Sequence, residues 1–245
     1  MILKRKNFTY PTKEEVDIVY KTLPKLECFG FNFNETITIW GDEKLSLEQI
    51  TRIDNLKYWD ICLSNKLSKT RSSYEYLIVH FNRGVCEDLK SDDELTIINT
   101  AQFEYYAEVF YYFYFSSLDI LAQIVSLYFD PLADENRTAF NCVFSKKHTF
   151  SDNLLFSTYQ KLNKARDYRH AFTHRFTPLL NDSRSRIIVS GEKKYLGIGV
   201  EQKLDYQDAI DNSSEALNIL SDLLKEIKAF MVNDTENNKY LFEDI

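Results

Sequence analysis

The feature that most constrains the fold is a run of 39 residues, 92–130, that contains neither glycine nor proline. Those two residue types interrupt helices most often, because glycine costs backbone entropy and proline removes an amide donor. The run is entered through Ser91-Asp92-Asp93-Glu94, which is typical of a helix N-terminus, and Pro131 follows it. We therefore expect one long helix. Nine aromatic residues among positions 103–115 indicate that it is buried on most sides.

The chain as a whole is also poor in helix-breaking residues. Glycine and proline together contribute six and four of 245 residues, well below the usual ~12%. This composition disfavours a β-sandwich and a glycine-rich nucleotide-binding fold. The sequence also lacks G-x-G-x-x-G, a P-loop and G-x-S-x-G. We predict an all-α helical bundle around the long central helix, and no cofactor.

Shorter elements complete the predicted bundle. Apolar periodicity indicates helices at 12–26, 46–65, 151–176 and 205–232, a strand or extended arm at 31–40, and an ambiguous segment at 72–82. Residues 186–190 and 195–200 flank Gly191-Glu192-Lys193-Lys194, which predicts a small β-hairpin inserted before the last helix. We expect one helical domain over residues 1–245, with residues 1–90 as an N-terminal extension or subdomain.

Residues 109–129 are long and apolar enough to span a bilayer. However, Asp119 lies at their centre and the flanks are acidic, which favours the central helix of a soluble bundle over a membrane span. The four cysteines contain no C-x-x-C pair, so neither a zinc site nor a disulfide framework is expected. We predict a cytoplasmic protein without membrane attachment.

Charge is distributed unevenly along the chain. The net charge is −7, and residues 201–245 alone carry eleven acids against four lysines. Residues 161–175 carry five lysines or arginines against one aspartate, together with two of the four histidines. A basic segment of this kind on an acidic protein is a candidate anion site, and arginine with histidine suits a phosphodiester.

The residue types in this segment suit RNA cleavage without a metal. That reaction needs a base for the ribose 2′-OH, an acid for the leaving 5′-oxygen and a cation for the phosphate. Arg169, His170 and His174 supply such groups within six residues. In an ideal helix His170 and His174 share a face with Arg166, whereas Arg169 lies about 140° from His174. Arg169 and His174 come together only if Arg169 wraps around its helix, if the helix distorts near its end, or if a second copy supplies the missing partner. The last option predicts a symmetric dimer.

The run Arg169-His170-Ala171-Phe172-Thr173-His174 resembles the R-φ-x-x-x-H signature of HEPN domains, where φ is usually Asn, Asp or His. The resemblance implies a helical bundle, often dimeric, that cleaves RNA without a metal. It implies that Arg169 binds the scissile phosphate, His174 transfers a proton and His170 tunes the site. It further implies a toxin or defence role, with an antitoxin as a possible partner.

Other polar residues are candidates for support. Arg166, Arg175 and Lys164 are predicted to bind the RNA backbone. HEPN domains often place a polar residue of an earlier helix near the motif, and Asp119 with Gln123 is our candidate. Asp119 is equally compatible with a hydrogen-bonded core carboxylate.

Two alternatives compete with the nuclease hypothesis. The arginines can pair with the acidic last helix around Asp208, Asp211 and Glu215, which would make the chain a non-catalytic dimerisation or partner-binding module. His170 and His174 have the H-x-x-x-H spacing of a zinc pair, but no glutamate follows His170 and no third ligand is evident, so no metal is predicted.

Overall fold

A computed structural model describes residues 8–31, 45–86, 93–130, 132–134, 137–145, 154–174, 185–191, 193–198, 205–234 and 241–242, without the side chains of 173, 174, 186 and 198. Its elements, in chain order, are α1 (Lys13–Tyr20), α2 (Leu47–Asn82), α3 (Glu94–Phe129), α4 (Phe140–Phe144), α5 (Leu154–Lys161), α6 (Asn163–His174), β1 (Ser185–Ser190), β2 (Lys193–Ile198) and α7 (Tyr206–Asn233). The predicted all-α bundle with a small hairpin is confirmed.

The central helix is α3, and it begins and ends within two residues of the predicted run. Many of its aromatic side chains fill the core, and two buried tyrosine hydroxyls donate hydrogen bonds to α7. Tyr111 donates to Asn212 Oδ1 over 2.8 Å, and Tyr114 donates to the carbonyl of Ala216 over 2.9 Å. Burial raises the pKa of the Tyr114 hydroxyl far above its ordinary value. Each of these two buried hydroxyls has a hydrogen-bond partner. Burying them therefore costs little free energy.

Within the described residues α3 is the one helix long and apolar enough to cross a membrane. More than half of its most apolar stretch is buried inside the bundle, at 56%. A membrane protein is therefore not indicated.

The second long helix, α2, differs from the prediction. The segments predicted separately at 46–65 and 72–82 form one continuous helix, which starts at a capping box between Ser46 and Gln49. The stretch between them, 66–71, is mostly polar in sequence, but its Leu67 and Thr70 are buried. Thr70 and Ser117 of α3 form a hydroxyl pair at 3.2 Å. Polar side chains therefore pack in this interface where periodicity searches expect apolar ones.

Two other predicted helices have different bounds. The first ends at Tyr20 rather than at position 26, because Pro24 lies just beyond it. The predicted helix at 151–176 is divided into α5 and α6 by a turn at Leu162, after which Asn163 begins α6. Asparagine favours helix starts over helix interiors. Apart from Phe31, which is buried, the predicted strand or arm at 31–40 lies outside the described residues.

The hairpin is antiparallel, with Ser185 opposite Ile198 and Ser190 opposite Lys193. Gly191 adopts a φ of +61°, which the tight turn requires and which other residues rarely adopt.

Two sets of polar contacts hold the N-terminal segment on α2. Asp60, which is buried, accepts hydrogen bonds from the backbone amides of Phe29, Gly30 and Phe31 over 2.8, 2.7 and 3.3 Å. Burial raises the pKa of Asp60, and the three amides oppose that rise. Arg83, just after α2, binds Glu15 of α1 through two hydrogen bonds of 2.8 and 2.7 Å.

Candidate functional site

The helix that carries the Arg169–His174 motif is α6, and stacked aromatic rings fix its orientation. Ala165 and Tyr168 are buried, and Phe172 is half-buried beside them. The rings of Tyr168 and Phe172 stack on Tyr111 of α3, with centroids 5.3 and 5.8 Å away. This inner face leaves Lys164, Arg169 and His170 exposed to solvent.

Arg169 extends from α6 toward the central helix. Its guanidinium carbon lies 5.2 Å from the centroid of the Phe115 ring, in cation–π geometry. Arg169 also forms one wall of a groove of about 330 Å³. We call this cavity the aromatic groove, and its lining residues include Tyr105, Glu108, Tyr112, Phe113, Arg169 and Phe172. The motif arginine is thus presented at the edge of a surface recess.

The two motif histidines differ in what is described. His170 is exposed on α6, next to Arg169. His174 is the last residue of α6, and its side chain lies outside the described part of the structure. Arg175 lies outside the described residues altogether. The backbone therefore places His174 one helical turn beyond His170.

The two other predicted cations of α6 lie apart from the groove lining. Arg166 is half-buried, and its guanidinium covers the ring of Tyr159 in α5 at 3.7 Å from the centroid. It also donates a hydrogen bond to Asn163 Oδ1. Lys164 is exposed on the outer side of the helix. Arg166 and Arg169 therefore contact rings of different helices.

The predicted supporting residues, Asp119 and Gln123, lie on α3 beyond the ring of Phe115 that Arg169 contacts. Asp119 is half-buried and accepts the amide of Phe140 over 2.9 Å, so it anchors the start of α4. Gln123 is half-buried one turn further along. Because Phe115 and Asp119 are four residues apart, Asp119 lies one turn from the ring that Arg169 covers. Asp119 is thus a hydrogen-bonded structural carboxylate.

The alternative in which the arginines pair with the acidic last helix can be examined at α7. Asp208, Asp211 and Glu215 are exposed, and within the described residues these three carboxylates form no ion pair with an arginine. Asp211 instead accepts from Gln207 Nε2 over 2.8 Å. Burial, together with Asp208, Asp205 and Asp211, raises the pKa of the Tyr168 hydroxyl to about 12. The negative charge of α7 therefore lies near Tyr168, on the inner face of α6.

The aromatic groove was missed by sequence reasoning. Tyr105, Glu108 and Tyr112 recur at i, i+3 and i+7 within the most aromatic part of α3, and all three are exposed. A polar residue at that spacing in an apolar helix marks an outward stripe. The glutamate at position 108 was the signal that could have revealed this face.

Comparison with known families defines the class of this protein. The family model for Cthe2314-like HEPN domains matches residues 59–231, well over half of the chain. The chain therefore belongs to the HEPN family. The match runs from within α2 through α3 and the motif helix α6 to near the end of α7, and it confirms the resemblance seen in the motif. The chain matches none of the curated proteins and none of the solved structures.

Proposed function

We propose that this chain is a metal-independent endoribonuclease of the HEPN type, active as a symmetric homodimer in which two α6 helices face each other. Membership of the family supports a nuclease or nucleotide-binding module in general. The observation that carries the more specific proposal is the position of Arg169, which lies exposed beside His170 with its guanidinium at the edge of a groove.

The proposed reaction is an internal transfer at phosphorus. A base, assigned to His174, removes the proton of the ribose 2′-OH, and the 2′-oxygen attacks the phosphorus. The bond from phosphorus to the 5′-oxygen breaks, and an acid protonates that oxygen. The products are a 2′,3′-cyclic phosphate and a 5′-hydroxyl end. Arg169 binds the phosphate as its negative charge grows, and His170 orients the reacting groups.

A dimer would supply both proton-transfer groups. Each α6 carries one His174, whereas the reaction needs a base and an acid at the same phosphate. A partner related by two-fold symmetry would bring a second copy of the motif to the first. Arg166, Arg175 and Lys164 would bind neighbouring phosphates. Asp119 and Gln123 would support the site from the central helix.

The proposal extends to the setting of the protein. It comprises a single domain with residues 1–90 as an N-terminal extension, acting in the cytoplasm as a toxin or defence protein. A toxin of this kind requires an antitoxin that blocks it in the host cell. Expression should then slow growth, and Arg169→Ala should relieve that effect.

An RNA cleavage assay in EDTA tests the nuclease. It would compare wild type with Arg169→Ala and His174→Ala. Arg137→Ala is the control, because Arg137 is 86% exposed and lies outside the motif helix. We expect each motif variant to lose about 10²–10³-fold in rate, the size of loss seen when a transition-state charge partner is removed. Arg137→Ala should retain the rate, and the product should end in a cyclic phosphate. Equal activity in all four preparations would refute the proposal.

A non-catalytic dimerisation module is the second candidate, and one observation favours it. The hairpin exposes five large apolar side chains on its two strands: Ile187, Ile188, Val189, Tyr195 and Leu196. Exposed apolar groups at this density are typical of interaction surfaces. Sedimentation of wild type and Ile187→Lys would test this role. Loss of the dimer in a protein without cleavage activity would select this candidate.

A further inference from the structure

The central helix exposes one stripe of its surface between α2 and α6. Tyr105 and Tyr112 on this stripe are 58% and 61% exposed, although Phe110 and Tyr111 beside them are buried. Phe113 is half-buried beside them and completes the floor of the aromatic groove. Tyrosine rings of this exposure offer flat apolar faces to a ligand.

Positive charges border this stripe on both sides. On the α2 side, Lys66 Nζ lies 5.9 Å from the ring centroid of Tyr112 and 5.4 Å from that of Phe113. Lys69 Nζ lies 5.4 Å from the ring centroid of Phe113. On the α6 side, Arg169 forms the opposite wall. Two helices that are distant in sequence thus bring three cations to one group of aromatic rings.

This combination has a specific chemical preference. Exposed aromatic rings interleaved with lysine and arginine suit a ligand that carries both flat bases and a negative backbone. A groove of about 330 Å³ is large enough for one or two unstacked bases. A duplex keeps its bases stacked inside, so it offers the rings nothing to stack on. The chemistry therefore favours a single strand.

We propose that the aromatic groove binds the single-stranded segment of RNA next to the cleaved phosphate, an inference that rests on the proposed nuclease function. Bases stack on Tyr112, and phosphates lie toward Lys66 and Lys69 as the strand runs to Arg169. Glu108 lies in the groove and repels phosphates, so the bases face the floor and the backbone follows the cationic edge. Glu108 can also accept a hydrogen bond from a base amino group.

Binding is measured apart from cleavage by using a strand that cannot react. A fluorescent single-stranded 2′-O-methyl RNA of twelve nucleotides has no free 2′-OH, so anisotropy with the full chain reports affinity alone. Tyr112→Ser should weaken binding about 10-fold or more, since stacking on one aromatic ring contributes that much, and Tyr112→Phe should restore it. Tyr58→Ser is the matched control, because Tyr58 is also 62% exposed but lies on the N-terminal part of α2.

The lysines are tested by salt dependence. Replacing both Lys66 and Lys69 by glutamine should lower the slope of log affinity against log salt by about 1.4, as expected for two lost phosphate contacts on a single strand. Lys21→Gln with Lys225→Gln is the matched control, at two exposed lysines elsewhere. Thermal melting of every variant confirms that the fold is intact.

The possible results separate the groove from the nuclease. If Tyr112→Ser and the lysine pair bind as wild type while Arg169→Ala still abolishes cleavage, the groove proposal is wrong and the nuclease stands. If they lose affinity in a chain that never cleaves, the groove binds RNA and the nuclease proposal is wrong. Equal competition by duplex RNA or by polyglutamate would also overturn the inference, because neither offers unstacked bases.

Discussion

Arg83 lies at the end of α2 and Arg169 lies within α6, and the two arginines are used in opposite ways. Arg83 binds both carboxylate oxygens of Glu15 and donates to the carbonyls of Thr9 and Tyr10. Arg169 instead lies over the ring of Phe115 at the wall of a groove. The first guanidinium connects the N-terminal segment to α2, whereas the second is presented to solvent.

The difference shows how the environment assigns a role to the same residue type. A carboxylate and two carbonyls occupy the hydrogen-bonding positions of Arg83, which is 19% exposed in its ion pair. Arg169 is instead exposed, and its guanidinium lies over the ring of Phe115 at the groove. The two arginines thus differ in burial and in the kind of contact that positions them.

The largest expected effect tests this contrast in cleavage rate. Arg169→Ala should lower the rate at least 100-fold, because the phosphate loses its cation. Arg83→Ala should stay within about three-fold of wild type, since Arg83 makes no contact with the motif helix in the described residues. Single-turnover cleavage of one RNA by both variants measures this. A large loss in Arg83→Ala would break the comparison.

Stability should show the reverse order. Arg83→Ala should lower the free energy of unfolding by about 2 kcal/mol, because it removes charged hydrogen bonds and leaves Glu15 without its partner. Arg169→Ala should change it by less than about 1 kcal/mol, the usual range for an exposed position. Urea titrations of both proteins at pH 7 provide the numbers, and equal losses would contradict the assignment.

The pH dependence of stability tests the ion pair between Arg83 and Glu15. The hydrogen bond from Arg83 lowers the pKa of Glu15 from 4.5 to about 2. A lowered pKa contributes stability that is complete above about pH 4.5 and is lost as the pH falls toward 2. The stability difference between wild type and Glu15→Gln should therefore be constant from pH 7 to 5 and shrink below that. A constant difference down to pH 3 would show that Glu15 titrates normally.

The smallest effect concerns the ring beneath Arg169. Phe115→Leu keeps most of the buried volume but removes the aromatic face, so Arg169 should lose its position rather than its charge. We expect a few-fold fall in cleavage rate with the affinity for the uncleavable strand nearly unchanged. Phe144→Leu, at another buried ring, is the control for packing alone. An equal fall in both variants would assign the effect to the core.

The sequence predicted the central helix best, because its bounds depend on local residue chemistry. The absence of glycine and proline, the acidic start at Asp93 and the proline after Asp130 are all readable along the chain. The hairpin was predictable for the same reason, since Gly191 marks its turn. The R-φ-x-x-x-H motif was also visible, and its six consecutive residues were enough to indicate the family.

Features that depend on contacts between distant segments could not be predicted. The polar middle of α2 packs on α3, where Thr70 contacts Ser117, 47 residues away in sequence. Asp60 has no local signal of its function, since the amides that it binds belong to residues 29–31. The cations around the rings of Tyr112 and Phe113 come from α2 and α6, and periodicity within one helix cannot reveal this arrangement.

Tyr111 connects three helices through one side chain. Its hydroxyl binds Asn212 of α7, while its ring carries Tyr168 and Phe172 of α6. The orientation of α6 is thereby linked to the packing of α7 on the other side of the core. If α6 carries the proposed nuclease site, a molecule bound only to α7 would act on that site through Tyr111, without covering it.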